Sequence, residues 1–324
     1  MRGMTNNGPA LPRRRLGQTD LWVTSLSVGC APLGNMPDVF GYSVREDVAL
    51  ATVRAVFASP VNHVDTAAAY GDGESERRIG IVLRERGGLP RGYVLQTKVG
   101  RDPRSGAFDG VSVEQRIERS LRLLSLDHLQ FVFLHDPEHT SFEQAMGPGG
   151  PMETLLRYKA QGIIQHVGVA GGPIDMLIRY LETGEFEAVI THNRYTLLNR
   201  SAEPLIELAA QRSIPVFNAA PYASGLLAKG PDSAGRYAYQ EAPPAVVARV
   251  REVTAICREY NVPLAAAALQ FSLRDPRITS TVVGMSRPER VHQTVELALH
   301  PIPNEIWPRL DALSPYTANS EAFY

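Results

Sequence analysis

Residues 93–135, YVLQTKVGRDPRSGAFDGVSVEQRIERSLRLLSLDHLQFVFLH, contain the unit that decides the fold. An apolar, β-rich run at Tyr93–Lys98 is followed by a helix-period segment at Ser112–Leu124 and a second apolar run at Leu129–His135. Short apolar runs of this kind are typical of buried parallel strands, and the segment between them has the length of a crossover helix. The stretch therefore predicts a strand–helix–strand unit.

The same alternation extends along the chain. It predicts eight strands, at Ser25–Cys30, Val61–Asp65, Tyr93–Lys98, Leu129–His135, Gln165–Ala170, Ala188–His192, Ile214–Ala219 and Ile278–Val283. Helices are predicted at Val44–Ala58, Glu74–Arg86, Ser112–Leu124, Met152–Gln161, Pro173–Thr183, Ala202–Arg212, Pro244–Tyr260 and Leu264–Arg274. Eight strands that alternate with helices indicate an α/β fold of the (β/α)8 TIM-barrel type. An open doubly wound sheet is disfavoured because CAPLG, which follows the first strand, lacks the glycine fingerprint.

Three further features concern the organisation of the chain. Residues 15–23, RLGQTDLWV, predict a β-hairpin that closes the N-terminal end of the barrel. Residues 146–151 and 230–244 are rich in glycine, proline or polar side chains and are predicted loops. We expect a single domain over residues 1–324, with residues 1–11 flexible.

Composition restricts the class of protein. Lys and Arg number 33 against 34 Asp and Glu, and this balance disfavours a nucleic-acid or membrane-surface binder. Two cysteines are too few for a disulfide framework. The chain has neither an apolar run of about 18 residues nor an apolar segment near its start that is typical of a secretory signal. We expect a cytoplasmic protein with a small-molecule substrate and leave its oligomeric state open.

Four chemically distinctive side chains follow neighbouring predicted strands. Asp65, Lys98 and His135 end the second, third and fourth strands, and Tyr70 lies in the loop after the second. Each of these residue types alone is more often structural, but their occurrence at successive strand ends favours a catalytic site. A tyrosine phenol can transfer the proton that accompanies carbonyl reduction or alcohol oxidation. A neighbouring lysine is expected to lower the pKa of that phenol.

Several motifs extend this pattern to a family. They are VDTAAAYG at 64–71, TKVG at 97–100, LHDP at 134–137, RYTLL at 194–198, SGLLA at 224–228, LGN at 33–35 and AAALQF at 266–271. With these motifs the chain resembles the aldo-keto reductases over nearly its whole length. It is most similar to the branch that contains D-threo-aldose 1-dehydrogenase, L-fucose dehydrogenase and a pyridoxal 4-dehydrogenase. The resemblance implies that Asp65, Tyr70, Lys98 and His135 form a catalytic tetrad with Tyr70 as the acid/base.

The segment after the last strand predicts a phosphate-binding site. A turn and a helix start that carry serine and two arginines offer free N–H groups and guanidinium forks to a phosphate. A charged helix cap is the alternative for this segment alone. The resemblance implies that it binds the 2′-phosphate or ribose end of NAD(P) through Gly284, Met285, Ser286, Arg287 and Arg290. Gln293 and Thr294 stand where the family often has a Glu-Asn pair near the adenine, and Ser224, Gly225 and Leu227 match the loop after the pyrophosphate. The two arginines favour NADP slightly, and the absence of a lysine at position 284 leaves NAD open.

The nicotinamide end departs from the family pattern. Many members hold the carboxamide with a Ser-Asn pair after the fifth strand, where this chain has Ala170, Gly171 and Gly172. We expect His192 and Asn193 to supply an amide contact instead. The tyrosine that usually stacks on the nicotinamide falls near Ala219, and Tyr222 or Phe217 is expected to cover the ring by another route.

Other functions are weighed on the same residues. His135 and His139 have helical spacing, but Pro137 breaks any helix that joins them, and no metal site is predicted. A non-catalytic barrel that senses nicotinamide nucleotide, like the related potassium-channel β-subunits, is disfavoured because all four tetrad residue types are present.

The substrate class follows from the resemblance. The branch oxidises the anomeric C1 hydroxyl of a cyclic aldose to a lactone. Reduction of bulky ketones or aldehydes with NADPH, or dehydrogenation of pyridoxal, are the alternatives. The loop at 101–110 looks short for the branch. A short loop predicts a substrate site with an open entrance, unless residues 230–244 fold over it.

Overall fold

The computed structural model describes residues 10–233, 236–237, 240–313 and 315. Residues 1–9, most of the segment expected to be flexible, lie outside the described residues. Within the described ranges, no helix has the length and apolar character needed to span a membrane.

Eight parallel strands close into a barrel, as predicted. The first two described strands form the antiparallel pair β1 (Arg13–Arg15) and β2 (Trp22–Thr24). The barrel strands are β3 (Leu26–Gly29), β4 (His63–Asp65), β5 (Val94–Gly100), β6 (Leu129–His135), β7 (Ile164–Gly171), β8 (Val189–His192), β9 (Val216–Ala219) and, later in the chain, β12 (Ile278–Gly284). β12 pairs with both β3 and β9, which closes the ring, so the fold is a (β/α)8 TIM barrel.

Helices connect the barrel strands, and two more follow the last strand. In chain order they are α1 (Pro37–Phe40), α2 (Glu46–Phe57), α3 (Glu74–Arg86), α4 (Gly110–Leu124), α5 (Phe142–Met146), α6 (Pro151–Ala160), α7 (Ile174–Glu182), α8 (Glu203–Gln211), α9 (Leu226–Lys229), α10 (Pro244–Glu259), α11 (Leu264–Leu273), α12 (Pro288–Leu299) and α13 (Ile306–Asp311). The predicted helices agree with α2, α3, α4, α6, α7, α8, α10 and α11 to within a few residues. The predicted loop at 230–244 contains a short antiparallel pair, β10 (Arg236–Tyr237) and β11 (Gln240–Glu241). Strands of two residues are too short to produce a recognisable sequence pattern.

The hairpin closes the N-terminal end of the barrel. Leu16 and Val23 are fully buried and belong to the same apolar cluster as Phe131, Phe133 and Phe217 inside the barrel. The backbone N–H of Thr24 donates to the side chain of Asn62, the residue before β4, at 2.7 Å. The other end of the barrel, where the strands end, is therefore the end left for a binding site.

Candidate active site

Lys98 joins two of the other residues expected in the tetrad. Its Nζ lies 2.7 Å from Asp65 Oδ1 and donates to the Tyr70 hydroxyl at 2.9 Å and to the Thr66 carbonyl at 2.9 Å. All three ammonium protons thus have acceptors, and Lys98 and Asp65 are both nearly inaccessible to solvent. Gln96 donates to the same carboxylate at 2.7 Å. These contacts hold the ammonium group against the phenol oxygen.

The backbone around Tyr70 is fixed by contact between two glycines. Gly71 has φ +63°, and a Cβ there would lie 1.9 Å from the Gly34 carbonyl oxygen. A Cβ on Gly34 would in turn lie 2.6 Å from the Tyr70 carbonyl carbon. Only two residues without side chains permit this approach. The contact places the loop that carries Tyr70 against the 3-10 turn after β3.

His135 completes the set at the mouth of the barrel. Its ring meets the Tyr70 ring edge to face, with centroids 5.9 Å apart. Asp65, Tyr70, Lys98 and His135 all border one cavity of about 370 Å³ at the carboxyl ends of the strands. The expected convergence of the four side chains is therefore present in the structure, while their catalytic role stays a prediction.

The electrostatics of Tyr70 differ from the expectation. Burial and the carboxylates of Asp65 and Asp136 raise the pKa of Tyr70 well above its ordinary value. The expected pKa below the ordinary value is wrong for this structure because burial and these carboxylates outweigh the ammonium group of Lys98, which is itself paired with Asp65. At neutral pH the phenol is protonated, which suits a proton donor.

The two histidines at the cavity are neutral. Burial lowers the pKa of His135, and it lowers the pKa of His192 to about 4. A neutral imidazole can donate a hydrogen bond from one nitrogen to a substrate oxygen without adding a charge.

The predicted phosphate segment lies at the start of α12. Arg287 and Arg290 are exposed, and no ion pair among the described residues includes either of them. The helix has no side-chain cap for its first N–H groups. Two guanidinium groups beside a helix start are the chemistry that binds a phosphate. The backbone contributes less, because Pro288 has no N–H and the Arg290 N–H donates to the Arg287 carbonyl at 3.1 Å. The Tyr42 hydroxyl, which the sequence analysis missed, lies beside Ser286 and Arg290.

The remaining predicted cofactor residues occupy different environments. Gly284, Ala170 and His192 border the cavity. Ser224 and Gln293 are exposed, and Gly225 is half-buried. Met285, Thr294 and Leu227 are buried, and the Thr294 hydroxyl donates to the Arg290 carbonyl at 2.6 Å. The side chains of these three buried residues are committed within the protein, so any contact with a nucleotide falls to their backbone atoms.

Asn193 does not border the cavity, although its side chain has one buried polar atom without a described partner. Its Oδ1 is inaccessible to solvent and accepts no hydrogen bond from the described residues. Because an unpaired buried acceptor is costly, a ligand amide that donates to it would bind favourably. Phe217 lies inside the barrel against His63, and neither it nor Tyr222 borders the cavity. The residues present thus offer the phosphate-binding and amide-binding chemistry that a nicotinamide nucleotide needs. Neither Phe217 nor Tyr222 covers the space where the nicotinamide ring would bind.

The apolar wall of the cavity comes from an element that the sequence analysis did not predict. Met36, Val39 and Phe40 of the α1 segment line it. No residue of the 101–110 loop and no described residue of 230–244 borders the cavity. The short 101–110 loop is instead tied back by ion pairs of Arg104 with Asp72 and of Asp102 with Arg116.

Glu138 explains the missing Ser-Asn pair after β7. Its Oε1 accepts from the Gly172 N–H at 3.0 Å. A Cβ on Gly171 would lie 2.9 Å from Glu138 Oε2, and one on Gly172 would lie 3.1 Å from Oε1. The carboxyl group therefore occupies the space that side chains at 171 and 172 would need. Burial and the nearby Asp136 charge raise the pKa of Glu138 to about 7.

We expect the Glu138→Gln variant to gain stability over the wild type as pH rises. Between pH 4.5 and 7 folded Glu138 keeps a proton that the unfolded chain releases, so the wild-type free energy of unfolding falls through this window. A shift of this size corresponds to about 3 kcal/mol, and glutamine does not titrate. Urea unfolding of both proteins at pH 5 and pH 8 measures the difference. A stability difference that is the same at both pH values would contradict the prediction.

Comparison with known proteins places these features in a family. The sequence model described as the Aldo/keto reductase family matches residues 25–315. A D-threo-aldose 1-dehydrogenase from a Pseudomonas species is 31% identical over 90% of this chain and 94% of its own. A pyridoxal 4-dehydrogenase from Microbacterium luteolum is 30% identical over 93% of this chain and 97% of its own. The solved holo structure of an aldo-keto reductase from Bacillus halodurans has a TM-score of 0.73 and 21% identity, covering 95% of this chain and 99% of the other.

Proposed function

Because this chain belongs to the aldo/keto reductase family, we propose that it is an NAD(P)-dependent oxidoreductase that acts on the anomeric carbon of an aldose. The reaction removes the C1 hydroxyl proton and the C1 hydride of the cyclic sugar and leaves a lactone. The observation that carries the proposal is the contact of Lys98 with both Tyr70 and Asp65 on the wall of the cavity. The names of the two relatives, an aldose 1-dehydrogenase and a pyridoxal 4-dehydrogenase, support an oxidisable hydroxyl or aldehyde as the reacting group.

In this proposal Tyr70 exchanges the proton. In the reductive direction its phenol donates to the oxygen that becomes the alcohol, and in the oxidative direction its phenolate accepts that proton. Lys98 stabilises the phenolate, Asp65 holds Lys98 in place, and His135 donates a hydrogen bond that orients the substrate oxygen. When bound, the nicotinamide ring supplies or accepts the hydride. The raised pKa of Tyr70 implies that oxidation is favoured at alkaline pH and reduction at neutral pH.

We assign the cofactor-binding residues from the groups at the start of α12 that could hold a phosphate. Ser286, Arg287 and Arg290 hold the phosphate or ribose end, and Tyr42 lies beside two of them. Asn193, with its unpaired Oδ1, holds the carboxamide. NADP is favoured slightly over NAD because two arginines that form no ion pair with a described residue match a 2′-phosphate better than a ribose hydroxyl.

We expect Arg290→Ala to weaken NADPH binding about 10- to 100-fold and NADH binding less than threefold. A charge-assisted hydrogen bond to phosphate contributes about 1.5–3 kcal/mol, and NADH has no 2′-phosphate to lose it. Fluorescence titration of each reduced cofactor measures both dissociation constants, with Arg251→Ala, an exposed arginine on α10, as the control. Equal losses for the two cofactors would show that Arg290 does not contact the 2′ position.

A substrate panel tests the proposed function. Steady-state kcat/KM is measured for L-fucose, D-arabinose, pyridoxal and a polycyclic ketone with both cofactors. The proposal expects the aldoses to have the highest values. If the ketone is turned over 100-fold better than any aldose, the second candidate, a reductase of bulky carbonyls favoured by the apolar α1 wall, replaces it. If nothing reacts while the cofactors bind, a nucleotide-sensing barrel is the better description.

A further inference from the structure

The cavity has two unlike walls. The apolar wall consists of Met36, Val39 and Phe40, with Ile190 and Val282 beside it. The opposite wall carries the charged and polar groups. Of its carboxylates, Asp65 already accepts hydrogen bonds from Lys98 and Gln96. Asp136 is the other carboxylate that borders the cavity.

The Asp136 carboxylate is uncommitted among the described residues. Its side chain is 38% exposed, and among the described residues its ion-pair partner is His135, with 3.6 Å between Oδ2 and Nε2. The Glu138 carboxyl and the His192 ring are also close enough to feel its charge. Burial lowers the pKa of His135, so the pair carries no strong opposite charge. Although Asp136 precedes a 3-10 turn, its side chain does not cap the turn. Its oxygens therefore have acceptor capacity left, and the residue borders the cavity.

The backbone holds Asp136 in an unusual conformation. It has φ +48° and ψ +55°, and it precedes a proline. Left-handed geometry is uncommon for a residue with a side chain, although Asp and Asn adopt it more readily than most. The Asp136 N–H donates to the Ala170 carbonyl at 2.8 Å, which keeps this geometry. Strained residues of this kind concentrate where a side chain must be aimed at a ligand.

The position of the carboxylate relative to the reacting groups limits what it can contact. Asp136 follows His135 directly, and the His135 ring meets the Tyr70 ring. Tyr70, His135 and Asp136 all border the same cavity, so a substrate whose oxygen is held by Tyr70 and His135 lies within reach of the Asp136 carboxylate. A hydroxyl on the next carbon of the substrate would donate to the carboxylate, and a carboxylate can accept from two neighbouring hydroxyls at once.

We infer that Asp136 is the specificity-determining residue, which selects cyclic substrates that carry a hydroxyl next to the reacting carbon. An apolar carbonyl compound would displace water from this carboxylate without replacing its hydrogen bonds, and that desolvation disfavours it. The apolar α1 wall can pack against the C–H face of a sugar as well as against an apolar carbonyl compound, so it does not oppose this selection. The inference rests on the proposed function and narrows it to polyhydroxylated substrates.

The test compares two cyclic hemiacetals that differ only in their other substituents. L-Fucose carries ring hydroxyls, whereas 2-hydroxytetrahydropyran presents the same reacting group without them. We expect Asp136→Asn to lower kcat/KM for L-fucose about 10- to 100-fold and for 2-hydroxytetrahydropyran less than threefold. Asparagine is tolerated at positive φ, and Asp136→Gly provides a second variant that adopts it freely. Asp38→Asn, at an exposed carboxylate on α1 that does not border the cavity, is the matched control.

Each other outcome is decisive. An equal loss for both substrates would mean that Asp136 acts on Tyr70 and His135, and no loss for either would mean that it contacts no hydroxyl; both overturn the inference. If the wild type oxidises 2-hydroxytetrahydropyran as well as any sugar, the inference fails while the proposed function stands. If the wild type oxidises neither, the proposed function fails. L-Fucono-lactone binding to the enzyme–NADPH complex, read by fluorescence in wild type and Asp136→Asn, then decides the role of Asp136 separately.

Discussion

Tyr70→Phe is expected to reduce turnover by about 10²–10⁴-fold, the usual contribution of a positioned general acid or base. The phenol hydroxyl is the group of the set that is both aimed at the cavity and able to exchange a proton with substrate. Lys98 and Asp65 are occupied by each other, at 2.7 Å, and a buried His135 is neutral. Phenylalanine keeps the ring against His135, so the cavity keeps its shape.

Two measurements separate a chemical role for Tyr70 from a structural one. Lys98 retains its acceptors on Asp65 and Thr66 in the variant, so we expect thermal stability and NADPH affinity close to those of the wild type. Tyr93→Phe removes a tyrosine hydroxyl that donates to the Phe57 carbonyl at 3.1 Å, near the start of β5 and away from the cavity. It should leave kcat unchanged. Near-normal turnover by Tyr70→Phe would refute the assignment of Tyr70 as the acid/base.

The tetrad positions were predictable because parallel strands have a fixed direction. Asp65, Lys98 and His135 end or lie near the ends of β4, β5 and β6, which are neighbours in the barrel. Because neighbouring strands follow the chain order, such side chains meet at one rim of the barrel, and this can be predicted without knowing how the loops fold. The position of Tyr70 could not be predicted from strand direction alone, because its loop is positioned by a contact with Gly34, which is distant in sequence.

Features that depend on distant packing were not predictable. The direction of the Tyr70 pKa depends on burial and on the Asp136 charge, and the sequence shows neither. The α1 wall was missed because MPDVF is too short to show a helical period. Glu138 fills the space at Gly171 and Gly172 from a different strand end, and nothing in the sequence places its carboxyl group against those two glycines.

Lys98→Met is expected to lower the free energy of unfolding by about 3–5 kcal/mol, as well as to reduce turnover. Methionine matches the volume of the lysine stem but removes the charge that compensates Asp65, and an unpaired buried carboxylate is strongly destabilising. Gln96 would remain as a neutral donor to Asp65 at 2.7 Å, which recovers only part of the loss. Urea unfolding at pH 7 measures the effect.

A double-mutant cycle identifies the cause of that loss. In Lys98→Met/Asp65→Asn the buried site has no charge, and an asparagine oxygen still accepts from Gln96. We expect the double variant to be more stable than Lys98→Met alone by about 2 kcal/mol or more, while Tyr70 remains without its ammonium partner and turnover stays low. Recovery of stability without recovery of activity would separate the two functions of Lys98: it compensates a buried charge, and it prepares Tyr70 for proton transfer. A double variant no more stable than the single one would mean that the loss arises from packing around the introduced methionine side chain and not from the unpaired Asp65 carboxylate.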